Sequence, residues 1–76
     1  MGKLNAQPQE KITYSPGGHI KEKKYLLEGK LHGEYISYYN SGQIMAHLHF
    51  VRGKKHGDAV NYYANGQIRE QVRFES

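Results

Sequence analysis

The chain carries 76 residues, no cysteine and a formal net charge of +4, from 11 lysines and arginines against seven acidic side chains. That length allows one domain with a marginal core, and without cysteine a disulfide scaffold and a thiolate zinc site are excluded. Uninterrupted apolar runs reach only two or three residues, which excludes a membrane-spanning helix of roughly 20 residues.

Residues 1–9, MGKLNAQPQ, lack the apolar centre of a secretory signal. They are expected to form a flexible N-terminal segment, and the chain to remain in the cytoplasm. From residue 10 to 76 the sequence repeats in steps of 24, with units near 10–33, 34–57 and 58–76. Gly18, Gly42 and Gly66 align, as do Ile20, Ile44 and Ile68, and Tyr38-Tyr39 aligns with Tyr62-Tyr63. A period of this length marks an architecture in which each unit is one supersecondary element.

Within each unit, tyrosine, isoleucine, valine and phenylalanine alternate with polar residues between glycines, the pattern of strands and hairpins. The predicted fold class is all-β: an antiparallel meander of about six short strands near 10–14, 19–27, 34–39, 43–51, 58–63 and 67–74, in a single twisted or curled sheet. Asn40, Ser41 and Gly42 make a three-residue hairpin loop with the glycine in the left-handed conformation of a G1 bulge, and Gly66 does the same after Ala64 and Asn65. Pro16 presets the turn in which Gly18 takes that position. Residues 29–33 and 53–57 read as the return connections, with Gly33 and Gly57 as turn residues.

Pairing Tyr39 with Gln43 sets Tyr38 opposite Ile44, Ile36 opposite Ala46 and Glu34 opposite Leu48. In that register the even positions, among them Ile12, Ile36, Leu48, Phe50, Val60, Val72 and Phe74, share an apolar face. The odd positions give a polar face on which Lys21, Lys23, Tyr25, Tyr35, Tyr39, Tyr63, Arg69 and Arg73 form the candidate binding surface. No amphipathic helix is available to cover the apolar face. The sheet is therefore expected to curl on itself, pair with a second copy or keep that face for a partner.

The recurring elements "YYNSGQI", "GKKHG" and "YYANGQI" resemble the variant MORN repeats of bacterial proteins over roughly residues 14–75. The resemblance implies a β-hairpin array acting as a binding or scaffolding surface, and many members carry the label of antitoxin in a toxin–antitoxin system. Eukaryotic MORN proteins are associated with membrane junctions and phosphoinositides, but their Tyr-Glu-Gly and tryptophan signature is missing here.

Residues able to carry chemistry are sparse. Ser15, Ser37 and Ser41 have no evident histidine–carboxylate partner and the glutamates no paired spacing, so no enzyme is expected. His32 and His56 occupy equivalent positions before a glycine and read as turn-closing residues. His47 and His49 lie two apart on one strand face and could hold a soft ion with one more donor, but no cysteine or orderly carboxylate completes a metal set. No cofactor, metal or small-molecule substrate is expected. The predicted function is a non-enzymatic protein-interaction or self-association module. The alternative is peripheral binding of acidic lipid headgroups or nucleic acid through the basic, tyrosine-bearing face.

Overall fold

The computed structural model describes residues 7–75, so most of the expected flexible segment, residues 1–9, lies outside the described residues. Its hairpins are built from local turn chemistry. At the first kind of turn, the Tyr39 N–H donates to the Gln43 carbonyl at 2.8 Å and the Gly42 N–H to the Tyr39 carbonyl at 2.9 Å. Gly42 sits at φ 95°, a conformation that costs glycine nothing. This is the three-residue loop that Asn-Ser-Gly specifies, and it recurs around Gly18 and Gly66 with the same backbone bonds.

The second kind of turn is tighter than expected. Leu27 pairs with Lys30 and Val51 with Lys54, so only Glu28-Gly29 and Arg52-Gly53 form the loops. All four residues have positive φ, 52° at both Glu28 and Arg52, as a two-residue type I′ hairpin requires. Residues 30–33, expected in a connection, therefore belong to a strand, and Gly57, expected in the equivalent turn, opens the strand Gly57–Tyr62.

The elements are β1 (Gln9–Tyr14), β2 (Ile20–Leu27), β3 (Lys30–Tyr38), β4 (Ile44–Val51), β5 (Lys54–Lys55), β6 (Gly57–Tyr62) and β7 (Ile68–Phe74). They form one antiparallel sheet in the order β1-β2-β3-β4-β6-β7, with the short β5 also on β4. Among the described residues the count is seven because the strand equivalent to β3 is interrupted at His56, which divides it into β5 and β6.

Register departs from the expected one at a recurring place. Tyr38 pairs with Ile44, but Ser37 pairs with Ala46, leaving Met45 as an extra residue on β4. The same slip leaves Lys21 extra on β2 and Arg69 extra on β7. Each is a one-residue β-bulge, and beyond it the side chains of the bulged strand change face relative to a simple alternating count. Glu34 consequently opposes His49 rather than Leu48, and Ile36 opposes His47 rather than Ala46.

The expected division into an even apolar face and an odd polar face is thus corrected. One face carries Leu26, Leu31, Tyr35, Leu48, Phe50, Ala59, Val72 and Phe74, and the Tyr35 and Phe50 rings meet edge to face with centroids 6.1 Å apart. The other carries Ile12, Lys23, Tyr25, Glu34, Ile36, His47, His49, Asp58, Val60 and Arg73. Apolar residues are shared between both faces.

Among the described residues the sheet does not close into a barrel and no second layer covers it. Its extents are 50 × 33 × 12 Å, and among the described residues only Ile36 and Ala59 are buried. Neighbouring units are joined by more than the strand ladder. The Gly53 N–H donates to the Leu31 carbonyl at 2.8 Å, the Arg52 N–H to His32 Nδ1 at 3.2 Å, and the Tyr39 hydroxyl to the Tyr62 carbonyl at 2.7 Å.

Candidate functional site

The three-residue loops all lie at one end of the sheet, because each reverses the chain in the same direction along the meander. One position outside the pair that closes each loop, the repeat places a tyrosine and an isoleucine opposite one another: Tyr14 and Ile20, Tyr38 and Ile44, Tyr62 and Ile68. Units are two strands apart, so these pairs recur about every 10 Å across the sheet. Tyr14 is 59% exposed and Ile68 54%, and Ile20, Ile44 and Met45 are exposed as well. An apolar ladder facing solvent is therefore built into the repeat.

The eight candidate binding residues do not share one surface. Lys23, Tyr25 and Arg73 lie on the histidine-bearing face, and Tyr35 lies on the opposite one. Lys21 and Arg69 are bulge residues, while Tyr39 and Tyr63 open the hairpin loops. The bulges are the reason, since counting by twos through an extra residue assigns the wrong face. Lys21, Tyr39, Tyr63 and Arg69 all lie towards the loop-bearing end of the sheet but are spread across it, from β2 to β7. Lys21 and Tyr39 line one shallow depression of about 390 Å³ with Tyr14, Tyr38 and Met45.

Two tyrosines are held by carboxylates. The Tyr35 hydroxyl donates to Glu22 Oε2 at 2.7 Å, and Lys24 Nζ lies 3.0 Å from the other carboxylate oxygen. The hydrogen bond from Tyr35, followed by that from Lys24, holds the Glu22 carboxyl below the usual range. Reciprocally, the Glu22 carboxylate and partial burial push the Tyr35 hydroxyl up to about 12. Tyr25 donates to Glu10 Oε2 at 3.1 Å, which raises its hydroxyl too.

Glu10, Glu34 and Asp58 are spaced by 24 residues, and each reaches the residue opposite it on the next strand. The partners are Tyr25, His49 and Arg73, themselves 24 apart, at 3.1, 3.9 and 3.4 Å. The acid is thus a repeated cross-strand device. Only in the central unit are the two residues beyond it both histidines. His47 Nε2 lies 3.3 Å from Glu34 Oε2, the two rings stand 5.3 Å apart, and one donor atom from each of the three residues lies within 4.8 Å of the others. Glu34 is the residue that sequence reasoning missed, because the expected register put it opposite Leu48. The signal that could have found it is its alignment with Glu10 and Asp58 in the repeat.

Nothing in the described hydrogen bonding resembles a nucleophile and base. Ser15 Oγ donates to the His19 carbonyl and Ser41 Oγ accepts from the Gln43 N–H, so neither hydroxyl is paired with an imidazole. Compared with known families, residues 31–52 and 55–76 each match the MORN repeat variant. No curated protein and no solved structure matches the chain.

Proposed function

Because the chain belongs to the family of MORN repeat variants, with matched units covering more than half of its residues, we propose that it is a protein-interaction module that binds through the loop-bearing end of its sheet. The observation that carries this reading is the ladder of tyrosine–isoleucine pairs, in which Tyr14, Ile20, Ile44 and Ile68 are exposed and Tyr38 and Tyr62 half-buried, repeated at fixed spacing on a sheet that has almost no buried core of its own. Contiguous exposed apolar surface of this kind marks interaction sites, and tyrosine contributes large contact area at small entropic cost. Lys21 and Arg69 would supply a charged rim. The antitoxin label carried by many members of this family would, if it applied to this chain, make that partner a toxin, whose neutralisation would need no catalytic group here.

The test is affinity capture with the purified chain and with a variant carrying Tyr63→Ser and Ile68→Ser, at low and high salt, followed by reconstitution with each captured protein. Tyr63 is 50% exposed and Ile68 54%, so the variant should keep its fold. A partner that the parent chain holds at high salt and the variant loses supports the proposal. Binding that vanishes as salt rises, to anionic vesicles or to nucleic acid, would replace it with charge-driven peripheral attachment.

A further inference from the structure

We infer that Glu34, His47 and His49 form a binding site for one divalent transition-metal ion on the face of the sheet where β3 and β4 pair. Two imidazoles and a carboxylate are the donor set that suits zinc, copper and nickel ions. Zinc bonds of about 2.0–2.2 Å to such donors place them roughly 3.3 Å apart around a tetrahedral centre. Glu34 Oε2 and His47 Nε2 are already separated by 3.3 Å, and Glu34 Oε2 and His49 Nε2 by 3.9 Å. Small side-chain rotations therefore complete the geometry without backbone movement.

The scaffold is suited to holding it. Glu34 and His49 are direct cross-strand partners, His47 is two residues along the same strand, and the pairing runs without interruption from Gly33–Phe50 to Ser37–Ala46. The buried Ile36 stands directly opposite His47 and next to Glu34 on the same face of β3, so it packs beside the cluster. The side chains of His49 and Glu34 are 47% and 46% exposed, so the fourth position opens to solvent and can take water or a donor from a bound partner.

Comparison among the three units separates this cluster from the ordinary acid device. In the first unit the acid meets Tyr25, with Lys23 in the place of His47. In the third it meets Arg73, with Gln71 in that place. Neither of those sets can bind a cation, since each contains a positive charge. The central unit alone combines an acid with two neutral-capable imidazoles.

The experiment is calorimetric titration of the untagged full chain with zinc chloride and, separately, copper sulfate, alongside imidazole nitrogen spectra of the five histidines. The expected result is one ion per chain, with copper held more tightly than zinc and resonance shifts confined to His47 and His49. His47→Gln, His49→Gln and Glu34→Gln should each weaken binding by roughly tenfold or more, whereas His32→Gln and His56→Gln should leave it unchanged. Absence of binding at millimolar zinc, shifts spread over all five histidines, or full affinity in Glu34→Gln would each overturn the assignment. The spectra are taken on the unaltered protein, so a variant that fails to fold does not remove the test.

Discussion

Tyr35 and Glu22 show how single side chains support a sheet that buries so little. A hydrogen bond to a charged acceptor contributes about 1–2 kcal/mol, and replacing Tyr35 by phenylalanine should remove about that much, read as a lower urea midpoint at neutral pH. The bond also sets a pH window. The Tyr35 hydroxyl is raised to about 12 from 10.0, so its stabilisation is fully present below pH 10 and is lost as pH rises toward 12. The Glu22 carboxyl is lowered from 4.5, so its stabilisation holds above that value and is lost as pH falls through the lowered one. Urea midpoints measured across both ranges should show these two losses in the parent chain and their reduction in Tyr35→Phe. A second residue-scale prediction concerns Glu28 at φ 52°, where asparagine tolerates the left-handed conformation better. Glu28→Asn should raise stability by about 0.5–1 kcal/mol, checked by thermal unfolding.

At the scale of elements, the loops and the bulges differ in how openly the sequence announces them. Asn40-Ser41-Gly42 and Ala64-Asn65-Gly66 carry local instructions, and both hairpins form where those residues stand. Replacing Gly42, at φ 95°, by alanine should cost about 1 kcal/mol or more. Gly66→Ala should cost a similar amount, because the nearby Gln43 side chain can swing aside; chemical denaturation of the two variants would compare them. The bulges carry no such instruction. Their extra residues are lysine, methionine and arginine, three types with nothing in common that marks a bulge, so both faces and the partner of Glu34 were hidden. The Glu28-Gly29 and Arg52-Gly53 turns were equally opaque, since glutamate and arginine seldom take positive φ. The candidate site was therefore legible in its residue types and misassigned in its faces.

For the whole molecule, the repeat makes stability a matter of neighbours along one direction. Central strands β3, β4 and β6 each pair on both sides, whereas among the described residues β1 and β7 are paired on one side only. Amide exchange should be slowest in the centre and quicken outward to β1 and β7; uniform protection would contradict this.

A plate 50 Å long and 12 Å thick behaves as a leaf spring. It resists shear within its plane, where hydrogen-bonded ladders run, and flexes readily across its thin dimension, where almost nothing is packed. A partner of moderate curvature could therefore bend the sheet to its own contour at little elastic cost. The rigid quantity is the stride from one tyrosine–isoleucine pair to the next. Partners would then be sorted by how their own contacts are spaced and much less by how they are curved.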